Sequence, residues 1–330
     1  MDRGLDRGGV VEALVFGSPD SGVVDRALAD FCQAQLGSPV AETLFRATSV
    51  GVVAGLRLAD DRRVVVKAHQ PRESRSRLEE VHRVQAHLHR EGFPCPRPLL
   101  PPTRLGEGLA VVEELVDDGS VRDTHEPAGR RLMAEALAWH LELARACGRP
   151  SALAEGWTLY VRDRLWPREA HAPIFDFEAT ADGAEWIDTI AAKAKPLAAE
   201  DTDLLVGHHD WSGKHFRFGD GRITVVYDWD SLGLGREAVI VGNAAMTFTT
   251  NFELPGVRRA PTPEEMRAFI DEYSDARHVP LGSRERERVA ACATFLLAYT
   301  ARCEHCGGGD EDATSFRHAL RTYGEQYLRP

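Results

Sequence analysis

The sequence lacks long hydrophobic runs and has no excess of basic residues. No apolar segment among its 330 residues approaches the length of a membrane-spanning helix. Residues 1–20 carry acids and arginines where a signal peptide needs an uninterrupted apolar stretch. The formal net charge of −11 argues against non-specific binding to nucleic acid and to anionic membrane surfaces. We therefore expect a cytoplasmic protein without a nucleic-acid or membrane partner. The composition does not indicate an oligomeric state.

Cysteine is infrequent, and most of it is isolated. Four of the six cysteines stand alone among apolar or mixed neighbours and are predicted to be small core residues: Cys32, Cys95, Cys147 and Cys292. Cys303 and Cys306 flank His305 in the segment CEHC. A zinc site needs about four ligands, and no second Cys or His pair stands at zinc-finger spacing. We interpret these two cysteines as free thiols, with zinc as the less favoured alternative.

The hydrophobic pattern changes from strand-like to helical along the chain. In residues 42–70, two β-branched runs flank the turn signal ADD, which predicts a hairpin. A helix with four apolar residues at helical spacing follows and stops near Gly92, and residues 108–120 form a strand that runs into an acidic connector. After this point the pattern is mainly helical. The sequence predicts an α+β protein with an N-terminal β-rich lobe, residues 1–115, and a mainly helical lobe, residues 116–330.

Lysine is scarce, with four residues in the chain: Lys67, Lys193, Lys195 and Lys214. Lys67 sits inside the strand-like segment VVVKAH, where a buried ammonium group needs an anionic partner. The helix that follows offers Glu80, which shares a face with Val84 and Leu88 by four-residue steps. The alternative is an edge strand from which Lys67 reaches water.

The segment VGHHDWSGKHFRFGDGRITVVYDWDSLGLG, residues 206–235, gathers histidines and aspartates around a predicted hairpin. With Asp220 and Gly221 as a two-residue turn, His215 is predicted to lie opposite Val226. His215 and Asp228 then share a face as diagonal neighbours, roughly 7–8 Å apart, and one metal ion could bridge them. Asp210 remains as a carboxylate apart from the ion. Phosphoryl transfer needs such a carboxylate, a divalent ion and a cation for the α- and β-phosphates.

These motifs resemble those of the aminoglycoside phosphotransferase family, small-molecule kinases with a two-lobed protein-kinase-like fold. That family carries H-G-D-x-x-x-x-N followed by I-D-W-E/D, and this chain has HHDWSGKH and YDWDSLGLG. The resemblance implies that Asp210 is the catalytic base, that Asp228 binds metal and that Lys67 pairs with Glu80, or with Glu79 after a one-position shift. It also implies transfer of the γ-phosphate of ATP or GTP with Mg²⁺. By the same resemblance, backbone groups of Glu114 and Val116 in VVEELVDDG are expected to contact the nucleobase.

The chain departs from the family pattern at three points. His215 replaces the usual asparagine, and imidazole suits Mn²⁺ or Zn²⁺ better than Mg²⁺. A histidine here is similar to the macrolide phosphotransferase branch, which favours an antibiotic-modifying kinase with a role in resistance or self-protection. Lys214 stands where glycine is usual and faces either the γ-phosphate or solvent. The segment ATSVGVV lacks a full glycine-rich signature, and leaves Ser49 and Gly51 as phosphate-loop candidates.

The acceptor pocket is expected in the aromatic segment 157–177, by resemblance to the family. The acceptor candidates are Trp157, Tyr160, Trp166, Asp176 and Asp230. The alternative is that these aromatic residues pack the helical lobe. The acceptor could instead be a metabolite, as in kinases of the sugar, choline or homoserine type.

Two further classes of protein compete with a kinase. A metal-dependent hydrolase would use His208, His209, Asp210 and His215 as one cluster, but adjacent histidines in a strand-like segment point to opposite faces. A non-catalytic kinase-like binding module would show altered motif residues, whereas Asp210, Asp228 and Lys67 are all present.

Overall fold

A computed structural model describes residues 7–155, 164–166, 175–198, 203–308 and 312–329. The chain divides into two compact units, of which the first ends at Asp117 and the second begins at Asp118. Among the described residues, no helix combines the length and the apolar character that crossing a membrane requires.

The first unit is built on a five-stranded antiparallel sheet with strand order β1-β2-β3-β5-β4. Its elements in chain order are α1 (Arg7–Phe16), α2 (Ser21–Leu36), β1 (Val40–Thr48), β2 (Val52–Leu58), β3 (Arg63–His69), α3 (Arg75–Arg90), β4 (Pro98–Leu105) and β5 (Gly108–Glu114). The hairpin predicted around ADD is confirmed as β2 and β3, and Asp61 takes a positive φ of 65° in its turn. The predicted helix after it is confirmed as α3, with Ser74 as N-cap and Gly92 just past its end.

Alternation along β3 separates an apolar face of the sheet from the face that carries Lys67. Val64, Val66 and Ala68 belong to a core cluster that also contains Val24 and Leu28 of α2. Because successive strand residues point to opposite sides, Lys67 projects from the other face. Apolar residues of α1 and α2 therefore cover one face of the sheet, and Lys67 lies on the other face.

The second unit is mainly helical with two small antiparallel sheets. Its helices are α4 (Pro127–Arg145), α5 (Glu185–Ala198), α6 (Glu237–Thr247), α7 (Pro263–Ala276), α8 (Ser283–Cys306) and α9 (Phe316–Tyr323). Its strands are β6 (Leu204–His208), β7 (Phe216–Gly219), β8 (Arg222–Val226) and β9 (Leu232–Arg236), paired as β6 with β9 and β7 with β8. The predicted α+β class with a β-rich and a helical lobe is confirmed.

The β7–β8 hairpin has the predicted turn but a different register. Asp220 and Gly221 have φ values of 51° and 72°, the positive values that a two-residue turn of this kind requires. Gly219 pairs with Arg222, but a bulge then shifts the register, so Phe216 rather than His215 lies opposite Val226. The extra residue is Thr224, whose hydroxyl donates to the carbonyl oxygen of Asp118 at 2.6 Å. The predicted pairing of His215 is therefore wrong by one residue.

Candidate active site

His208 connects the loop that carries Asp210 to the chain segment just before Asp228. The backbone amide of Asp210 donates to Nδ1 of His208 at 3.2 Å, and Nε2 of His208 lies 3.1 Å from the carbonyl oxygen of Tyr227. Because Nδ1 accepts, Nε2 carries the proton and donates to Tyr227. Burial lowers the pKa of His208 and keeps the ring neutral. This histidine therefore positions the loop.

The turn after Asp210 is fixed by the segment that follows α6. Residues Gly213–His215 form a short 3-10 turn, and the amide of Lys214 donates to the carbonyl oxygen of Thr250 at 3.0 Å. A Cβ atom at position 213 would lie 2.7 Å from the carbonyl oxygen of Phe248, so the close approach of these backbones requires glycine. The turn thereby presents Lys214 and His215 from a fixed backbone.

Asp210, His215 and Asp228 form one cluster. Nε2 of His215 lies 3.0 Å from Oδ2 of Asp210 and 3.5 Å from Oδ2 of Asp228. Asp228 has a left-handed backbone, with φ 64° and ψ 46°, and accepts a hydrogen bond from the Ser231 hydroxyl at 2.7 Å. One ligand atom from each of the three lies within 4.8 Å of the others, the one such grouping of His, Cys, Asp and Glu among the described residues. The sequence predicted that Asp210 would stand apart from the two metal ligands, but in the structure it contacts His215 directly.

The charges around Asp210 favour its ionised form. Burial by itself would raise the pKa of Asp210, but the hydrogen bond and charge of His215, the charge of Lys214 and the Ser212 hydroxyl outweigh it. The net result is a pKa well below the usual range of an aspartate. Lys214 makes the ion pair directly, with Nζ 2.9 Å from Oδ2 of Asp210. The side chain of Lys214 is therefore directed towards the carboxylate of Asp210.

Lys67 has a different carboxylate partner from the one predicted. Its Nζ lies 3.0 Å from Oε1 of Glu113 on β5. Glu80 instead pairs with Arg83 on its own helix, with Nε of Arg83 2.8 Å from Oε2 of Glu80. The predicted pairing of Lys67 with Glu80 is corrected to Glu113, because β3 and β5 are neighbours in the sheet and bring the two side chains together.

The other nucleotide-site candidates lie at loops and strand ends of the first unit. Ser49 and Gly51 form the turn between β1 and β2, where the Ser49 amide donates to the Gly51 carbonyl oxygen at 3.0 Å. Gly51 runs so close to β3 that a Cβ atom would meet the Ala68 carbonyl oxygen at 2.7 Å. At the end of β5, the Glu114 amide already donates to the Arg97 carbonyl oxygen at 2.8 Å. A nucleobase contact of Glu114 would therefore use its carbonyl oxygen.

The acceptor candidates are only partly brought together. Trp157 and Tyr160 lie outside the described residues. Trp166 packs edge-on against Phe177, with ring centroids 5.7 Å apart, and its indole Nε1 donates to Asp188 at 2.9 Å.

Asp176 caps a turn through Oδ1, which accepts from the amides of Glu178 and Ala179. These contacts give Trp166 a packing role and Asp176 a capping role, and the assignment of both residues to the acceptor site stays a prediction. Asp230 lies in the 3-10 turn Trp229–Ser231, two residues after Asp228.

Phe252 is an exposed aromatic residue beside the catalytic loop that the sequence interpretation missed. Its side chain is 66% exposed, and Nζ of Lys214 lies 5.8 Å from the centre of its ring. The preceding Asn251 is buried, and its Nδ2 atom has no hydrogen-bond partner in the described structure. A phenylalanine inside the otherwise polar segment TTNFE was the available signal.

The hydrolase interpretation is wrong, because two of its four ligands are used elsewhere. His208 has both ring nitrogens on backbone groups, as described above. His209 packs against Gly235, where a Cβ atom would lie 2.7 Å from Cε1 of the ring. Burial lowers the pKa of His209 to about 4, as expected for a histidine in an apolar environment. Cys303 and Cys306 are free thiols.

Solved structures with similar folds are kinases and phosphotransferases. The amicoumacin kinase hAmiN, solved with AMP-PNP, Ca²⁺ and Ami, is 12% identical, with a TM-score of 0.61 over 87% of this chain and 90% of that chain. A macrolide 2'-phosphotransferase type I is 15% identical, with a TM-score of 0.52 over 94% and 98% of the two chains. An ethanolamine kinase from Plasmodium vivax is 13% identical, with a TM-score of 0.55 over 99% and 93%. At these identities the likeness establishes the fold.

Family membership comes from a sequence model. No curated protein matches the sequence significantly. The model of the phosphotransferase enzyme family, APH, matches residues 56–292, which is well over half of the chain. The matched range includes Lys67, the catalytic loop and Asp228, the same positions on which the resemblance was based. The chain belongs to this family, the aminoglycoside phosphotransferases, and is a small-molecule phosphotransferase.

Proposed function

We propose that the protein transfers the γ-phosphate of ATP or GTP to a hydroxyl group of a small molecule, and that this acceptor is an antibiotic. The observation that carries this proposal is the cluster of Asp210, His215 and Asp228, together with the ion pair between Lys214 and Asp210. It brings together an ionised carboxylate, two further ligands and a cation, which is the set of groups that phosphoryl transfer requires.

Each unit contributes a separate part of the chemistry. In the N-terminal lobe, residues 1–115, Lys67 holds the α- and β-phosphates, and Ser49 and Gly51 line the phosphate loop. Glu114 at the end of this lobe and Val116 just beyond it contact the nucleobase through their backbones. In the C-terminal lobe, residues 116–330, Asp210 orients the acceptor hydroxyl and receives its proton.

The candidate metal ligands His215 and Asp228 fit a divalent ion. A carboxylate oxygen and an imidazole nitrogen 3.5 Å apart could both ligate one ion, and the imidazole favours Mn²⁺ over Mg²⁺. When bound, the ion would neutralise charge on the phosphates. Ser231 fixes the carboxylate of Asp228 through its hydroxyl, so this ligand is oriented by the protein.

The acceptor class is supported by the surface beside the loop and by the related structures. The exposed ring of Phe252 offers an apolar face close to Lys214, suited to the C–H face of a sugar or another ring-bearing acceptor. Two of the related proteins are named for amicoumacin and macrolides, which favours an antibiotic. The ethanolamine kinase keeps an amino-alcohol acceptor as the second candidate.

The test is phosphate incorporation into a panel of hydroxylated antibiotics and amino alcohols, with ATP and GTP in parallel. Asp210→Asn is the control, and its turnover should fall by about two to four orders of magnitude. Acceptor-dependent turnover in the wild type that survives this substitution would refute the role of Asp210. An amino alcohol as the preferred acceptor would replace the antibiotic proposal with a metabolite kinase.

A further inference from the structure

Lys67 is held by the sheet itself. β3 and β5 pair antiparallel with Lys67 opposite Val111, so Glu113, two residues further along β5, projects from the same face and reaches Lys67 diagonally. Nζ of Lys67 lies 3.0 Å from Oε1 of Glu113, and the two side chains are only 8% and 6% exposed. A buried ammonium group and a buried carboxylate at this distance form a charge-assisted hydrogen bond in surroundings with little water.

The second oxygen of Glu113 is held by helix α3. The Gln85 side-chain amide donates from Nε2 to Oε2 of Glu113 at 2.9 Å, and also to the carbonyl oxygen of Pro96 at 2.9 Å. Gln85 lies on the buried face of α3. Both oxygens of Glu113 therefore have directional partners, which fixes its rotamer.

We propose that Glu113 is the positioning residue that holds Lys67 for the nucleotide phosphates, and that Gln85 locks Glu113 in place. This inference rests on the proposed function, because it assumes that Lys67 contacts the phosphates. Helix α3 then contributes an amide to this site, while its own carboxylate at Glu80 pairs with Arg83. The pairing of β3 with β5 places the carboxylate beside Lys67, and the amide from α3 fixes its rotamer, so the lysine is preorganised.

Two variants of the full-length protein distinguish the roles of the two carboxylates: Glu113→Gln and Glu80→Gln. Their affinities for ATP, ADP and adenosine are measured by calorimetric titration beside the wild type, with the guanine series used if GTP is preferred. Glu113→Gln should weaken ATP and ADP binding roughly 10- to 100-fold, because Lys67 loses a hydrogen bond between charged groups. Adenosine affinity should not change, since it has no phosphate. Glu80→Gln should match the wild type for all three ligands.

An equal loss of adenosine affinity in Glu113→Gln would mean that this residue only shapes the pocket, and a loss of ATP affinity in Glu80→Gln would return the role to the helix. Either result overturns the inference. A wild-type protein that binds no nucleotide would overturn the proposed function first, and this inference with it.

If Glu113→Gln does not fold, the double variant Lys67→Met/Glu113→Gln should recover the fold, because it removes both buried charges. Failure to recover would refute the pairing.

Discussion

His140 should make the stability of the second unit depend on pH. It lies on α4, fully buried, with its ring stacked on Trp211 at a centroid distance of 5.8 Å and edge-on to Trp229 at 5.5 Å. Burial, with smaller contributions from His208 and His209, lowers the pKa of His140 to about 3. In the unfolded chain the pKa of a histidine is about 6.5. Between these values, the unfolded state binds a proton that the folded state does not.

The direction and the size of this pH effect on the free energy of unfolding follow from the difference in proton binding. Above pH 6.5 neither state is protonated at His140, and this residue adds no pH dependence. As the pH falls below about 6.5, the free energy of unfolding decreases by about 1.4 kcal/mol per pH unit for this group. Between pH 7.0 and pH 5.5 the loss is about 1.3 kcal/mol. His209, whose pKa is lowered by burial to about 4, should contribute a similar amount in the same window.

The assay is urea unfolding followed by tryptophan fluorescence at pH 7.0 and 5.5, since Trp211 and Trp229 are buried against this ring. His140→Phe keeps an aromatic ring but cannot bind a proton, so its loss of stability over this interval should be about 1.3 kcal/mol smaller than that of the wild type. His278→Phe, at an exposed position, is the matched control and should keep the wild-type slope. Identical slopes for His140→Phe and wild type would refute the argument.

The remaining predictions concern the proposed site. Lys67→Ala should weaken nucleotide use and spare binding of the acceptor alone, measured by separate titrations; the reverse pattern would place Lys67 elsewhere. His215→Asn should reduce the loss of metal affinity that the wild type shows at acid pH, because a protonated imidazole cannot bind a metal ion. It should also shift the metal preference from Mn²⁺ to Mg²⁺. The same decrease of metal affinity with falling pH in both proteins, measured by metal titration, would contradict this prediction. Gly213→Ala should lower the free energy of unfolding by about 1–3 kcal/mol and lower turnover, because the new Cβ would lie 2.7 Å from the Phe248 carbonyl oxygen. In the control Gly307→Ala the nearest neighbour of the Cβ would lie at 3.5 Å, so its stability should match the wild type.

Local features of the fold could be predicted from the sequence because they depend on neighbours in the chain. The β2–β3 hairpin and the turn at Asp220 and Gly221 follow from residues that tolerate positive φ. Helix α3 follows from apolar spacing and a serine cap. The catalytic-loop motif could be recognised because its residues lie within one short segment.

Features that depend on long-range register could not be predicted. The partner of Lys67 comes from β5, which is not consecutive with β3, and their alignment is a property of the whole sheet. The bulge at Thr224 shifts the β7–β8 pairing because its hydroxyl finds the Asp118 carbonyl oxygen more than 100 residues away. The packing role of Trp166 likewise depends on Phe295 of α8, which is distant in the chain. In each case a contact between remote segments decided among local alternatives.

The cluster at Asp210 links metal binding to base strength through one nitrogen atom. Nε2 of His215 cannot donate a proton to Asp210 and ligate an ion at the same time. Without an ion, the hydrogen bond and charge of His215 help to hold the pKa of Asp210 well below its usual range. An ion held by His215 and Asp228 would remove that hydrogen bond, but it would place its own positive charge beside Asp210. The charge of the ion would then favour the ionised carboxylate in place of the imidazole proton, so Asp210 would remain able to accept the hydroxyl proton of the acceptor.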